Sequence, residues 1–201
     1  REAVRRPPIP KPMRLSTVAL LAAAAPAMAL SAPPRKMHRM SAAPKMLAPA
    51  TVAAWVSGSV VVGASGALVV VPNLKPWYEG LKKPWWSPPN WLFGPVWTAL
   101  YALIGLACAR TFGTQPLARP RAFYIFAIHA VLNIAWSPIF FGAHLLGPGF
   151  ITSLSLLIAA GATALEFARV SGTATGLLLA PYVLWLAYAT GLNLRLWQLN
   201  P

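Results

Sequence analysis

The sequence predicts an all-α integral membrane protein, a bundle of five transmembrane helices with a tryptophan- and proline-rich first loop. Two observations predict this fold class. Hydrophobic residues make up 57% of the 201-residue chain and charged residues only 10%, with a mean hydropathy of +0.58. A soluble domain carries about 25% charged residues and needs them to cover its surface. Beyond residue 50, the apolar residues form five runs of about 20, the length that crosses a hydrocarbon core.

Residues 1–50 differ from the rest of the chain and are predicted to be a presequence, either disordered or cleaved. They hold nine of the seventeen lysines and arginines but a single acid, Glu2, which is typical of a transit peptide. Within them, residues 13–32 (MRLSTVALLAAAAPAMALSA) have the basic start, apolar centre and small-residue end of a secretory signal. A signal followed by a transit peptide favours a plastid bounded by extra membranes. A single mitochondrial or chloroplast presequence is the alternative.

Each apolar run is predicted to be a helix, because a chain in hydrocarbon must satisfy its backbone polar groups within the spanning segment. The connections between runs are short, so neighbouring helices are expected to be antiparallel. Two pairs of small residues, Ser59 with Gly63 and Gly105 with Ala109, allow close helix packing within the bundle or between copies. The membrane domain is predicted to cover residues 51–199. Its spans are expected at residues 51–71, 95–112, 122–141, 145–168 and 173–196.

The segment between the first two spans, residues 77–97 (WYEGLKKPWWSPPNWLFGPVW), holds five of the nine tryptophans. Its prolines fix φ and remove N–H donors, so the connection is predicted to be stiff and mostly non-helical. Tryptophan suits a membrane–water boundary or the wall of a pocket for a flat ligand. The segment is therefore predicted to have a function beyond joining two helices.

The chain lacks the residue patterns of common catalytic and metal sites. Past the presequence its only acids are Glu79 and Glu166, and it has no aspartate, so neither a carboxylate pair nor a catalytic triad forms. His129 lies within a predicted helix, where it either ligates haem or hydrogen-bonds a neighbour; His144 lies in a loop. Cys108 is predicted to be a buried hydrophobe. The basic residues form no patch with interleaved aromatics, so nucleic-acid binding is not expected.

Four motifs follow one another in register with the predicted spans. They are WYEGLKKPWWSPP at 77–89, VWTALY at 96–101, LNIAWSPIFF at 132–141 and PYVLWLAYATGLN at 181–193. This arrangement resembles the translocator protein family, also called tryptophan-rich sensory proteins or peripheral-type benzodiazepine receptors, over residues 51–199. The resemblance implies a five-helix membrane protein, commonly a homodimer, with a pocket between helices that the first loop covers. It also implies binding of tetrapyrroles such as protoporphyrin IX and haem, as ligands and not as obligatory cofactors.

The resemblance carries a set of ligand-contact positions onto this chain. They are Tyr78, Pro88, Trp97, Asn133, Trp136, Trp185 and Ala189. Trp97 and Trp185 lie inside spans, away from the interface, and a buried indole N–H needs an acceptor from a ligand or a backbone carbonyl. Asn133 is costly at membrane depth unless it faces the bundle interior, either as a pocket residue or as a contact between helices. The other loop tryptophans are expected to shape the loop; they are Trp77, Trp85, Trp86 and Trp91.

Three functions stay open at this point. The first is tetrapyrrole binding by a sensor, carrier or buffer in an organelle membrane, with the plastid favoured over the mitochondrion. The second is an enzyme-like role, light- or oxygen-dependent breakdown of bound porphyrin supported by Trp97 and Trp185. The third is a lipid or sterol carrier. Animal members have a cholesterol-recognition pattern at the end of the fifth helix, but here Tyr188 lies one residue too far from Arg195, which counts against cholesterol.

Lysines in the first loop suggest a further contribution to ligand binding. Lys75, Lys82 and Lys83 carry positive charge close to the predicted pocket, so they can attract porphyrin carboxylates. Solvated anchoring at the membrane interface is an equally good use for them.

Overall fold

The computed structural model describes residues 47–75 and 77–201, so the predicted presequence up to residue 46 lies outside the described residues. Within these ranges the chain is helical and contains no strand. The described residues form seven α-helices: α1 Pro49–Ala64, α2 Ala67–Leu74, α3 Asn90–Phe112, α4 Pro120–Ser137, α5 Leu146–Ser171, α6 Thr173–Leu177 and α7 Ala180–Leu199. They combine into five segments that are long and apolar enough to cross a membrane. The prediction of an all-α protein with five spans is confirmed.

The observed spans are slightly longer than the predicted ones. They are Pro49–Leu74, Asn90–Phe112, Pro120–Gly142, Leu146–Ser171 and Thr173–Leu199. The largest difference is at α3, which begins at Asn90, so residues 90–97 of the segment predicted to be mostly non-helical form two helical turns. The extended backbone of Pro89 precedes this helix. Pro95 lies inside it, where the missing N–H removes one hydrogen bond near the helix start without ending the helix.

Two spans are irregular where they approach the first loop. The first span is interrupted at Ser65 and Gly66, between α1 and α2, and the third ends in a π-helical turn, Pro138–Gly142. Such interruptions occur where proline or glycine weakens the regular hydrogen-bond ladder. The helix α2, which follows the interruption, packs against the π-helical turn. It also packs against a 3₁₀ turn of the loop, Tyr78–Gly80. Together they form a rim under the loop.

Close packing of α1 on α3 depends on two glycines. A Cβ at Gly105 would lie 2.6 Å from the carbonyl oxygen of Trp55, and a Cβ at Gly63 would lie 2.2 Å from the ring of Tyr101. These positions are therefore used inside the bundle, one of the two uses that the sequence left open. The indole N–H of Trp55 donates to the carbonyl oxygen of Gly113 at 2.8 Å, which ties the start of α1 to the end of α3.

The remaining helices pack in the order α4, α5 and α7, with α5 between its two neighbours. Cys108 is fully buried in the apolar core, as predicted. At the end of the bundle away from the first loop, the carboxylate of Glu166 is only 4% exposed and accepts two hydrogen bonds from Arg169. Arg121 approaches the same carboxylate at 3.5 Å. This acid therefore holds α4 and α5 together.

Candidate ligand-binding site

A cavity of about 320 Å³ lies inside the bundle beneath the tryptophan–proline loop. All five spans and the loop contribute residues to its walls, which are mostly apolar and aromatic. Small-molecule sites typically enclose about 300–1,000 Å³ and combine apolar walls with a few polar groups. The cavity therefore has the size and the lining of a ligand site.

Six of the seven predicted ligand-contact residues line this one cavity. They are Tyr78, Trp97, Asn133, Trp136, Trp185 and Ala189. Pro88 is not among the lining residues; in this part of the loop Trp86 reaches the bundle instead, with its ring 5.6 Å from that of Tyr188. The structure thus brings six of the residues together and leaves Pro88 outside. Contact with a ligand stays a prediction for all seven.

Tyr78 forms the part of the lid that faces the cavity. Its ring is buried between the loop and the π-helical turn, 5.5 Å from the ring of Phe141. Burial raises the pKa of Tyr78 to about 12, and Tyr188 adds to the effect, so its phenol stays neutral at physiological pH. The ammonium of Lys83 lies 4.7 Å from the ring centroid, a cation–π distance.

Lys83 forms hydrogen bonds within the loop itself. Its Nζ donates to the carbonyl oxygens of Glu79 at 3.0 Å and of Leu81 at 3.3 Å. Partial burial lowers the pKa of Lys83, while the charge of Glu79 acts in the opposite direction. Of the three lysines considered for carboxylate binding, Lys75 and Lys82 have exposed side chains, whereas Lys83 is half-buried and engaged with the loop backbone.

Three polar atoms at the cavity wall are buried and have no hydrogen-bond partner among the residues that the structure describes. They are Trp136 Nε1, Trp185 Nε1 and Asn193 Oδ1. An unpartnered buried polar group costs about 1–3 kcal/mol, and unpaired groups in native structures often mark functional sites. Three residues that line the cavity therefore each carry a polar atom without a partner, two of them donors and one an acceptor. The sequence predicted that the indole N–H of Trp185, like that of Trp97, needs a hydrogen-bond acceptor.

A chain of hydrogen bonds crosses the wall of the cavity. The hydroxyl of Tyr101 donates to Asn133 Oδ1 at 3.2 Å, Asn133 Nδ2 donates to the hydroxyl oxygen of Tyr182 at 3.0 Å, and that hydroxyl lies 2.9 Å from His129 Nε2. Asn133 therefore lines the cavity and also joins α3, α4 and α7, which combines its two predicted uses. His129 hydrogen-bonds a neighbour, one of its two predicted roles.

Sequence reasoning missed Tyr101 and Tyr182 as part of this site. A signal was present, since both tyrosines lie in mid-span, where a phenol hydroxyl needs a partner. The sequence did not reveal that their two helices meet at Asn133.

The loop is fastened to α7 and to the end of the chain. The hydroxyl of Tyr188 donates to the carbonyl oxygen of Trp86 at 2.9 Å. Asn200 accepts from the backbone N–H of Lys82 and donates to its carbonyl oxygen, both at 3.0 Å. Trp77 stacks on His144 with 4.3 Å between ring centroids. These contacts close the loop over the cavity.

The remaining loop tryptophans, Trp85 and Trp91, have side chains that are 95% and 72% exposed. Outward-facing indole rings at this end of the spans suit the membrane interface. Neither residue lines the cavity.

Removing the hydrogen bonds that Tyr188 and Asn200 make with the loop is expected to open the loop and leave the helices folded. In the double variant Tyr188→Phe with Asn200→Ala, three hydrogen bonds to the loop are lost, each worth about 1 kcal/mol net. Trypsin cleavage after Lys82 should therefore accelerate about tenfold or more, as measured by mass spectrometry. Tyr124→Phe removes a hydroxyl from a 63% exposed side chain on α4 and serves as the control. Equal cleavage rates in both variants would contradict a fastened lid.

Comparison with known proteins places this architecture in one family. The profile of the TspO/MBR family matches residues 53–198. Protein CrtK from Rhodobacter capsulatus is 37% identical over 146 residues, which cover 71% of this chain and 89% of the relative. Tryptophan-rich protein TspO from Chlorobaculum tepidum is 39% identical over 153 residues, with 75% of this chain and 96% of the relative covered.

An animal protein is similar to a comparable degree. Human translocator protein is 40% identical over 129 residues, which cover 62% of this chain and 75% of the human protein. The match to the family profile reaches all five spans and the tryptophan–proline loop, and it includes every residue of the cavity wall. The chain is therefore a multi-pass membrane protein that belongs to the TspO/MBR family.

Proposed function

We propose that this membrane protein binds tetrapyrroles, such as protoporphyrin IX or haem, in the cavity beneath the loop. The observation that carries the proposal is an aromatic cavity whose wall holds two unpaired indole donors, Trp136 Nε1 and Trp185 Nε1. A porphyrin offers flat apolar faces to aromatic rings. Its carboxylates accept hydrogen bonds that are stronger than those between neutral groups. The loop covers the cavity, so a macrocycle enters only when the loop moves.

The protein is proposed to act as a sensor, carrier or buffer of the bound tetrapyrrole and not as an enzyme. Matching relatives are named tryptophan-rich sensory protein and translocator protein, and these names support sensing and transport. The chemistry of the cavity supports binding, since its walls carry no acid, no histidine and no cysteine among the described residues. An electrostatic contribution comes from Lys75 and Lys82, whose exposed ammonium groups attract carboxylates at low salt.

An organelle membrane is the proposed location, and a homodimer the proposed assembly. The plastid is favoured over the mitochondrion by the signal and transit composition of residues 1–50. The proposal of a homodimer rests on the family resemblance. Membrane lipids surround the five spans in either case.

Titration with porphyrin tests the proposed function. Purified protein in detergent should shift the absorbance of protoporphyrin IX saturably. The affinities for haem and for a sterol are measured in parallel. The double variant Trp136→Phe with Trp185→Phe keeps two aromatic rings and removes both free donors. It should bind porphyrin at least about tenfold more weakly, since a hydrogen bond to a charged group contributes about 1.5–3 kcal/mol.

Trp85→Phe provides the matched control, because that indole is exposed and lies outside the cavity. Its porphyrin affinity should equal that of the unchanged protein. Unaltered affinity in the double variant, or tighter binding of the sterol than of either tetrapyrrole, would refute the proposal. Bound porphyrin is then followed under illumination. A new product spectrum would indicate that the protein degrades the porphyrin, whereas an unchanged spectrum supports a carrier, sensor or buffer.

A further inference from the structure

Basic side chains gather at the end of the bundle away from the first loop, where α4 begins and α5 ends. Arg119 and Arg121 flank the first residue of α4, and Arg169 lies in the last turn of α5. The acid beside them is Glu166; the other acid among the described residues, Glu79, lies in the first loop. We call the three arginines with Glu166 the arginine cluster. It carries two uncompensated positive charges.

Contacts with α5 hold the arginine cluster in place. Arg169 donates to both carboxylate oxygens of Glu166, at 2.9 and 2.6 Å, and Arg121 Nε lies 3.5 Å from one of them. Arg119 donates from Nη1 to the carbonyl oxygen of Val170 at 2.8 Å. All three guanidinium groups therefore lie around the last turn of α5, although two of them come from the start of α4. The fold brings these charges together, since side chains at the ends of separate helices would otherwise repel each other.

Most hydrogen-bond donors of the cluster are left free by these contacts. A guanidinium has five N–H groups. Among the described residues Arg119 donates through Nη1 alone, and Arg121 approaches Glu166 only through Nε. The side chains of Arg121 and Arg169 are 74% and 60% exposed, whereas that of Glu166 is 4% exposed. The carboxylate is thus buried under the arginines, and the surface that the cluster presents is positive.

The position of the cluster along the spans places it at the membrane surface. Arg121 is the second residue of the third span, and Arg169 is the third from the end of the fourth. At 1.5 Å per residue these spans are about 34 and 39 Å long, which exceeds a hydrocarbon core of about 30 Å, so their ends reach the headgroups. One turn further in, Tyr124 and Leu165 have side chains that are 63% and 75% exposed. A lipid here meets positive charge at its headgroup and large exposed side chains along its tails.

The charge of the cluster distinguishes between classes of lipid. Guanidinium groups bind phosphate oxygens through paired N–H donors, and every phospholipid carries a phosphate at this depth. A zwitterionic headgroup brings a cation as well, and the one acid of the cluster is already bonded to Arg169. An anionic headgroup brings no such cation and compensates the excess positive charge. Charge complementarity therefore favours an anionic lipid.

We propose that the arginine cluster binds the headgroup of an anionic phospholipid, whose phosphate accepts hydrogen bonds from Arg119 and Arg121. Glu166 is a positioning residue, because it holds Arg169 beside the lipid and is too buried to contact it. Arg110, which is exposed in the last turn of α3, adds positive charge at the same end of the bundle. None of these residues lines the cavity beneath the loop, so the lipid site does not depend on the proposed tetrapyrrole function.

Two substitutions of equal charge change separate this site from general attraction to the protein. Arg121→Gln removes one charge from the cluster and leaves the paired hydrogen bonds between Arg169 and Glu166 intact, so the fold is expected to persist. Arg195→Gln is the matched control. Arg195 is exposed at the opposite end of the bundle, near the end of α7.

Native mass spectrometry of the full chain tests the proposal. Purified protein in detergent is incubated with an equimolar mixture of dioleoyl phosphatidylglycerol and dioleoyl phosphatidylcholine, which have identical tails, and the bound copies of each lipid are counted. The unchanged protein should retain phosphatidylglycerol preferentially. Arg121→Gln should lower this preference about fivefold, the factor that one arginine contributes near an anionic surface. Arg195→Gln should leave the preference unchanged, and Arg121→Lys, which restores the charge, should recover most of it.

Four results would overturn the proposal. The first is equal retention of the two lipids by the unchanged protein. The second is an equal loss of preference in Arg121→Gln and Arg195→Gln, as expected from net charge alone. The third is a preference that Arg121→Lys fails to recover, since the loss would then come from a changed structure around Glu166. The fourth is displacement of phosphatidylglycerol by an equimolar amount of inorganic phosphate, which would assign the cluster to a soluble anion. Porphyrin titration is a separate measurement, so failure of one proposal leaves the other standing.

Discussion

Replacing Gly105 by alanine is expected to separate α1 from α3 and to lower the free energy of unfolding by about 2–3 kcal/mol. The added Cβ would lie 2.6 Å from both the carbonyl oxygen of Trp55 and the Cα of Val56. These are backbone atoms, so no side-chain rotation relieves the overlap and one helix must move. Since α1 packs mainly on α3, the shift also weakens the hydrogen bond from Trp55 to Gly113.

Thermal or detergent denaturation followed by circular dichroism measures this effect. Gly161→Ala is the matched control on α5, because a Cβ there meets no atom within 4 Å. Alanine is favoured over glycine in a helix by about 0.5–1 kcal/mol, so the control should be slightly stabilised. The two substitutions are thus expected to shift the unfolding midpoint in opposite directions. A Gly105→Ala protein as stable as the control would show that this helix contact is loose.

The number of spans was predictable because hydrocarbon thickness fixes how long a spanning helix must be. Helix ends were less predictable. Pro95 suggested the start of the second span, but α3 begins at Asn90, since proline near a helix start removes only one bond. Likewise, the sequence showed small residues at Gly63 and Gly105 without indicating their partners. The packing partner of each glycine depends on which helix faces meet. Apolar residues surround these helices on all sides, so the sequence does not single out one face.

The candidate site was predictable to a similar extent. Motifs of the family led to six residues that line one cavity, and they also led to Pro88, which lies outside it. The hydrogen-bond chain through Tyr101, Asn133 and Tyr182 was not predicted, because its members come from three helices that are distant in sequence. A second cavity, on the outer side of the bundle between α1 and α4, was also missed. A gap between α1 and α4 follows from packing order, which the spacing of residues along one helix does not encode.

Replacing Tyr182 by phenylalanine is expected to destabilise the bundle by about 1–3 kcal/mol. The residue has 0% exposure, and its hydroxyl is the partner of both Asn133 Nδ2 and His129 Nε2. Phenylalanine keeps the ring packing, including the edge contact with Trp97, but leaves both polar groups buried without their partner. Tyr124→Phe, on a 63% exposed side chain of α4, should change stability by less than about 0.5 kcal/mol.

A double-mutant cycle with His129→Leu separates this chain of hydrogen bonds from simple packing. Once Tyr182 has lost its hydroxyl, His129 Nε2 is already unpartnered, so replacing the imidazole by an apolar side chain removes a buried polar group that had become unfavourable. The double variant should therefore be less destabilised than the sum of the two single variants, by about 0.6 kcal/mol and at most about 1.7 kcal/mol, the average and the maximum for hydrogen bonds between transmembrane helices. Shifts in the unfolding midpoint that simply add would mean that the two residues act independently.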